Sequence, residues 1–523
     1  MERSSGKRFC CRRVCHRVPV AHREELYHIL KMTGPLLLSR ILNYMLPFVV
    51  TMFCGRLGND VMAGYGLASA TINITTAATG FGLGLACDTL VSQTFGAKNL
   101  LRVGVILQRG IIILLLFCLP CWGLLINAQA ILLCVGQNPE VARIAQLYIT
   151  AFLPAVPAMF LHHLQVSYLQ NQGIILPQMY SAALLQILCL RFTSFYINEC
   201  LSPPAGWSVE SLQDWGSYMK LAIPSTLMKC FEWWVYEFGG FFAGMLSENE
   251  LAAQHAVMMV TVITYMFPLG IQAAACARVG NALGAGDTGR ALLTSKMSLT
   301  LAGQLEMYQG LVLGSVKTVI GFIFTSDEKI IGLVSQLMNA YCFLQFFDGL
   351  VCVCTGIFLG TGKQKIPAVA NFIGYYCIGL SLSITLTFVA KLRVLGFWLG
   401  LLVCVILQST FYIIVIFKLN WEQITEELMD GYMSVSTECQ DRGTVVQDRD
   451  VTQKLKGSRL SITQLILRRG LIMFAAVALL AVGAGVHFLV PLPETNSTVD
   501  SINTTYTPDQ IFSTMLVPDE ESE

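Results

Sequence analysis

Residues 91–99 read VSQTFGAKN and residues 279–287 read VGNALGAGD, so one pattern occurs twice, with Gly96 and Gly284 188 residues apart. Such a register indicates an internal duplication. Basic residues follow the corresponding apolar runs of both copies, which predicts parallel copies, as in transporters that bind substrate between two halves. Further landmarks are 189 residues apart, namely Pro35 with Pro224, Leu57 with Leu246, and Gly173 with Gly362.

The composition is that of a membrane protein. Of 523 residues, 54% are hydrophobic and only 13% are charged, against about 25% charged residues in an ordinary soluble domain. The formal net charge of +1 gives no basic field, so nucleic acid is excluded as a partner and the lipid bilayer is the expected environment. The 18 cysteines scatter through apolar runs without disulfide or zinc spacing, so no metal is expected.

Apolar runs of about 20 residues, enough to cross a bilayer, occur eleven times. A weaker run, 178–197, contains Arg191. No run shows the alternation of a β-barrel, so the predicted fold is an all-α polytopic membrane protein with 11–12 spans, arranged as two parallel helical lobes plus one C-terminal helix. The eleven stronger runs are 33–53, 65–92, 104–127, 145–169, 222–246, 252–275, 295–323, 332–359, 367–390, 396–418 and 470–491.

Shifts in composition divide the chain into segments, and the positive-inside rule orients them. The N-terminus is expected in the cytoplasm and the C-terminus outside the cell. The tail carries two N-glycosylation sequons, at Asn496 and Asn503, of which Asn503 is farther from the bilayer. The predicted segments are a basic cytoplasmic N-terminus (1–23), a first lobe (24–200), a second lobe (201–420), a polar cytoplasmic loop (421–469), an extra transmembrane helix (470–491) and an extracellular tail (492–523).

The two copies differ in length. After Gly362 two more spans fit before residue 420, whereas after Gly173 only 41 residues remain before Trp215. A single crossing at 178–197 would invert the second copy and spoil its positive-inside pattern. Either that run does not cross, or two crossings are missing from the first lobe.

Three acidic residues lie inside predicted spans. Glu232 and Glu237 belong to the run LAIPSTLMKCFEWWVYEFGGFFAGML, and Asp348 to LQFFDGLVC. A charged carboxylate at mid-bilayer costs roughly 3 kcal/mol or more, so such residues usually face a bundle interior and handle ions or protons. We interpret these three as proton- or cation-binding groups; the alternative is that neighbouring polar groups satisfy them.

Aromatic residues accompany the acids. Glu232 and Tyr236 share a helix face at i, i+4. Glu237 lies about 140° around a regular helix from Glu232, so both reach one cavity only if the helix bends. Cations bind well on aromatic faces, and Trp233, Tyr236 and Tyr265 are therefore candidates for an aromatic wall around a substrate.

Six sequence stretches together resemble the vertebrate multidrug and toxin extrusion (MATE) proteins of the solute carrier class. The similarity runs over 24–176 and 205–420. It implies two six-helix lobes around a central cleft, an additional C-terminal helix, and proton-coupled export of organic cations across the plasma membrane by a monomer, with the proton as coupling ion and no other cofactor. The stretches are ACDTLVSQTFGAKN, VGVILQRG, LPCWGLLINAQ, KCFEWWVYEFGGF, RVGNALGAGD and RRGLIMFAAVALL.

The resemblance also assigns roles. Glu232 and Glu237 match the two acids of the family's seventh helix, and Asp348 stands where animal members usually have Glu. The matched aromatic residues are Trp233, Tyr236 and Tyr265.

The sequence departs from the family pattern at several positions. Met259 replaces a further acid of the eighth helix and Met258 a neighbouring Tyr, while Gln345 replaces a His and Leu359 an Arg. Most of the family's fifth and sixth helices are absent. The departures leave two alternatives to a proton-coupled antiporter: a non-transporting truncated isoform or membrane scaffold, and a sodium-coupled multidrug antiporter.

Overall fold

The structure is a computed structural model that describes residues 19–57, 59–176, 209–325, 327–440 and 462–490. Within these ranges the chain is helical and contains no strand, as predicted. The weak run 178–197, both sequons (Asn496 and Asn503) and nearly all of the two terminal segments lie outside the described residues, so the predictions about them are not tested.

Seven α-helices lie in the first half, counted over residues 19–57 and 59–176. A π-helical segment, Asn73–Ala77, joins the second helix to the third. The helices are α1 (Val20–Leu57), α2 (Asn59–Ile72), α3 (Ala78–Gly96), α4 (Leu100–Ile126), α5 (Ala128–Cys134), α6 (Pro139–Phe152) and α7 (Ala155–Asn171).

The second half is built from longer helices, with two π-helical segments, Phe372–Leu380 and Thr385–Val389, late in the repeat. The helices are α8 (Trp215–Leu246), α9 (Glu248–Gly284), α10 (Thr288–Val316), α11 (Glu328–Thr361), α12 (Lys365–Asn371), α13 (Ser381–Ile384), α14 (Val394–Lys418), α15 (Trp421–Gln440) and α16 (Ile462–Leu489).

The chain is a multi-pass membrane protein. By length and composition, seven helices among the described residues are able to cross a membrane, or eight with a bent pair counted. The predicted spans 33–53 and 222–246 fall within α1 and α8, and the predicted span 295–323 begins in α10 and runs past its end at Val316. These three helices are long but are not among the seven. The seven are Ala63–Gly96, Leu100–Ile126, Asn249–Gly284, Glu328–Thr361, Lys365–Val389, Val394–Lys418 and Leu467–Leu489.

The bent pair consists of α6 and α7, which meet at 58° in the region where the span 145–169 was predicted. Pro154 lies at the break, and proline interrupts the hydrogen-bond ladder of a helix. The indole nitrogen of Trp122 donates to the carbonyl oxygen of Leu153 at 2.9 Å, so one carbonyl group at the break has a partner.

The repeat landmarks form equivalent turns. Asn99 caps α4 by accepting from the Arg102 amide at 3.2 Å, and Asp287 caps α10 by accepting from the Arg290 amide at 2.9 Å. Both residues are favoured N-caps. Gly286, immediately before the second cap, has a φ of 78°, a conformation that glycine adopts without steric cost.

The two halves pack with matching ends together. A Cβ added at Gly96 would meet the Asn281 carbonyl, and one added at Gly284 would meet the Gln93 carbonyl. The same ends of the equivalent helices α3 and α9 therefore lie side by side, which agrees with the predicted parallel duplication. Correspondingly, α1 packs on α9 and α3 packs on α8, and each half has its own hydrophobic core.

The segments after the second lobe contain two helices in the part that the structure describes. The polar loop predicted at 421–469 begins with α15, because Trp421 and Ile424 are buried on one side of an amphipathic helix. The extra helix α16 packs on α4, where the Asn127 amide donates to the Gly483 carbonyl at 2.8 Å. This helix is thereby attached to the first half.

Candidate functional site

The helix α8 connects the cores of the two halves. Near its start Trp215 and Tyr218 belong to the core of the first half, and the Tyr218 hydroxyl donates to the Leu83 carbonyl at 3.0 Å. Farther along, Val235 and Phe242 belong to the core of the second half. Residues midway along α8 consequently lie at the boundary between the halves.

Glu232 lies in this middle stretch and is only 6% exposed. The Lys229 ammonium, one turn earlier, contacts both carboxylate oxygens, at 3.1 and 3.0 Å. The hydroxyl of Tyr265 on α9 donates to Oε1 at 2.9 Å. Three polar contacts therefore satisfy a carboxylate that would otherwise be costly to bury.

Asp348 on α11 completes a buried group of charges. It is 6% exposed and interacts electrostatically with Glu232 and Lys229. The buried hydroxyl of Tyr236 lies next to Asp348. Glu232 of α8 and Asp348 of α11 therefore lie within electrostatic reach of each other.

A third buried carboxyl belongs to Glu306 on α10, which packs against Gly349, the residue after Asp348. Glu306 is 1% exposed, and its Oε1 has no hydrogen-bond partner in the described part of the chain. Its carboxyl carbon would lie 2.5 Å from a Cβ added at Gly349, so the absence of a side chain there lets the carboxyl approach α11. Gln345, the residue in place of the family's His, donates to the Glu306 carbonyl at 2.8 Å.

Glu237 does not join this group. Its side chain is half-buried, and its electrostatic interaction is with Tyr44 on α1. The helix α8 continues unbroken through Gly239 and Gly240, so the angular separation of Glu232 and Glu237 along the helix is retained. Glu237 is therefore placed towards α1, apart from the pair formed by Glu232 and Asp348.

The three aromatic residues predicted to line a substrate site lie in different surroundings. Trp233 packs edge-on against Phe81 of α3, with ring centroids 5.9 Å apart, so it faces the first half. Tyr265 is engaged with Glu232, and Tyr236 lies beside Asp348. They surround the acids from both halves but do not form one continuous aromatic surface.

The first half contributes its own polar residues. Asp88 accepts hydrogen bonds from Ser167 and Asn171, each at 2.6 Å, and interacts electrostatically with Arg40 of α1. His163 stacks against Phe81 at 4.4 Å, and its Nε2 has no partner within the described ranges. Buried polar atoms without partners are rare in ordinary cores.

The halves are joined tightly at the end that carries the repeat landmarks. Thr89 donates to the Leu359 carbonyl at 2.7 Å, and Gln93 donates to the Gly360 carbonyl at 2.9 Å. Gln364 donates to the Thr89 hydroxyl at 2.5 Å. These contacts between α3 and the end of α11 close the boundary between the halves on the side predicted to be cytoplasmic.

A buried ion pair reinforces this closed end. Glu25, at the start of α1, accepts from Arg278 of α9 at 2.5 and 2.6 Å and from Thr294 at 2.7 Å. Burial raises the pKa of Glu25, but the hydrogen bonds and charges of Arg278, together with Thr294 and Arg290, outweigh it and hold the pKa below its ordinary value of 4.5. Glu25 is therefore charged at neutral pH.

No three His, Cys, Asp or Glu side chains in the described part of the chain are grouped to hold a metal ion. A buried carboxylate has a protonation equilibrium that depends strongly on its surroundings. The sequence analysis missed two members of the group. Lys229 is at i, i+3 from Glu232, and the neighbour rule that paired Glu232 with Tyr236 also finds it. Glu306 lies inside the predicted span 295–323, where the cost of a buried acid already marks it.

Comparison with known proteins agrees with this architecture. The MatE family profile matches residues 35–193 and 224–385, two segments that start 189 residues apart. Multidrug and toxin extrusion protein 1 of Danio rerio is 43% identical over 486 residues, covering 86% of this chain and 82% of the relative. The human protein of the same name is 37% identical over 540 residues, covering 90% and 94%. The crystal structure of the eukaryotic MATE transporter AtDTX14 superposes with a TM-score of 0.73 at 25% identity, covering 78% of this chain and 99% of that one.

Proposed function

This chain belongs to the MatE family of membrane transporters, and we propose from that premise that it is a proton-coupled antiporter that exports small organic cations. The observation that carries the proposal is the pair of buried acids, Glu232 and Asp348, at the boundary between the halves. The name of its relatives, multidrug and toxin extrusion protein, agrees with outward transport of drugs.

The mechanism follows from the chemistry of a buried carboxyl. Removal of water makes the charged form costly, so a bare carboxylate in the site binds either a proton or a cation. Outside, a proton taken up by the acid group neutralises it and releases the cation; inside, loss of the proton restores the charge that binds the next cation. Because either species occupies the group but not both, the two fluxes are coupled.

Each acid has a distinct part in this scheme. Glu232 and Asp348 exchange cation for proton, and Glu306, whose carboxyl packs against Gly349 beside Asp348, is a further acid available to take up a proton. Glu237, facing Tyr44, binds a proton or cation on the path between the halves. Trp233, Tyr236 and Tyr265 provide aromatic contacts to the organic part of the substrate.

Alternating access requires the two halves to rock about the site. The contacts of Thr89 and Gln93 with the end of α11, and the Glu25–Arg278 pair, close the predicted cytoplasmic side. They must break for the cation to enter from the cytoplasm. We place the protein in the plasma membrane as a monomer, with a cytoplasmic N-terminus and an extracellular C-terminus.

The experiment is uptake of labelled tetraethylammonium into cells that display the chain at their surface, with an outward proton gradient imposed. An antiporter runs in reverse under that gradient, so uptake is expected to rise above that at equal pH. Glu232→Gln and Asp348→Asn should abolish the stimulation, while the exposed Glu140→Gln should retain it. Stimulation by an outward sodium gradient instead would favour the sodium-coupled alternative, and absence of uptake with surface expression intact would favour a non-transporting protein.

A further inference from the structure

The contact between Lys229 and Glu232 places a cation of the protein in a site proposed to bind cations. Lys229 is 7% exposed and Glu232 is 6% exposed. The ammonium nitrogen lies 3.1 and 3.0 Å from the two carboxylate oxygens, and Tyr265 donates to one of them as well. A substrate cation that approaches Glu232 therefore meets a carboxylate whose two oxygens already have donors.

Lys229 also lies between the two halves. Its charge interacts with His163 of the first half and with Asp348 and Cys352 of the second half. The ammonium is thus at the boundary between the halves, where the proposed function places the substrate. A position on the lipid-facing side of α8 would not bring it within electrostatic reach of both halves.

We propose that Lys229 is a tethered counter-ion that sets a preference among cationic substrates, so that cations that also carry an anionic group bind more tightly than simple monocations such as tetraethylammonium. The proposal rests on the proposed function, since it concerns the same carboxylate. A group held one helical turn away competes at an effective concentration on the order of millimolar or more, so a free monocation binds only by displacing it.

Displacement leaves a second problem, because Lys229 would then be buried without a counter-charge. A monocation carries no anionic group that could accept the displaced ammonium of Lys229. A substrate with both a cationic and an anionic group does: its cationic end takes the place of Lys229 at Glu232, and its anionic end accepts the displaced ammonium. The neighbouring Asp348 stays available for the exchange with a proton.

The test compares two ligands that differ in a single group. Tetraethylammonium is the monocation, and triethylammonioacetate is the same ion with one methyl group replaced by a carboxylate. Binding of each to the purified full chain in lipid nanodiscs is measured by calorimetry, and proton-driven uptake of each is measured in proteoliposomes. The readout is the ratio of the two dissociation constants, in which general damage to the protein cancels.

Lys229→Met is expected to shift this ratio towards tetraethylammonium by roughly tenfold or more, since it removes the competitor and the anion partner together. Lys229→Arg keeps the charge and should leave the preference for the zwitterion. Lys220→Met removes an exposed lysine from the same helix and should leave the ratio unchanged. Adding Glu232→Gln to Lys229→Met should weaken tetraethylammonium binding again.

An unchanged ratio in Lys229→Met, with tetraethylammonium still transported under a proton gradient, would overturn the inference and leave the proposed function standing. If neither ligand bound to the wild-type chain or to Lys229→Met, and neither was transported, the proposed function would fail and the inference with it. Equal ratios in Lys229→Met and Lys229→Arg would also overturn the inference, because the charge would then be irrelevant.

Discussion

Substitution of Glu232 by Gln should destabilise the protein, and removal of Lys229 as well should restore much of the loss. The single variant keeps a buried ammonium whose two carboxylate contacts, at 3.1 and 3.0 Å, are gone. Removing one partner of a buried ion pair lowers the free energy of unfolding by about 3–5 kcal/mol. Replacing both partners by uncharged groups of similar size often changes it little. The expected order of stability is therefore wild type, then Lys229→Met/Glu232→Gln, then Glu232→Gln.

The Lys229→Met variant should lose less than Glu232→Gln does, because the remaining carboxyl can take up a proton and keeps its bond from Tyr265. Thermal unfolding of the purified variants in detergent, followed by intrinsic fluorescence, measures all four proteins under one condition. The stabilising pairing of Lys229 with Glu232 is refuted if the double variant melts at or below the temperature of Glu232→Gln. The loss of stability would then come from Glu232 alone.

Three further perturbations have defined outcomes. Gly286→Ala should lower the free energy of unfolding by about 1 kcal/mol, because φ at this residue is 78°. Gly289→Ala, in an ordinary helical position, should leave the free energy of unfolding and the melting temperature unchanged. The pKa of Glu25 is held below 4.5, so its stabilising effect is present above about pH 4.5 and lost as the pH falls further; in Glu25→Gln, melting temperatures measured from pH 7 down to about pH 3 should lack this step. Glu306→Gln should lower proton-driven tetraethylammonium uptake roughly tenfold or more, and the exposed Glu140→Gln should not.

The sequence was sufficient for the architecture because its signals are local or periodic. Gly96 and Gly284 lie where the backbones of two helices touch. This close approach is visible in the sequence as a spacing that occurs in both copies. The caps Asn99 and Asp287 are likewise local. The cost of burying an acid was enough to single out Glu232 and Asp348.

The remaining features depend on how helices are rotated against their neighbours. Residue spacing gives the angle between Glu232 and Glu237, but only packing shows that Glu237 faces Tyr44 while Glu232 faces Tyr265. In the same way Trp233 turns to Phe81 in the other half. The bend between α6 and α7 was hidden because two short helices and a continuous apolar span have the same composition.

The central claim is that a cation and a proton compete for the same buried carboxyl groups. The direct measurement is proton release when tetraethylammonium is added to the purified chain in weakly buffered solution, with binding followed in parallel by calorimetry. The account predicts that binding releases about one proton per cation, as linkage between the two ligands requires, and that Glu232→Gln combined with Asp348→Asn abolishes the release. Cation binding at full stoichiometry without proton release would contradict it.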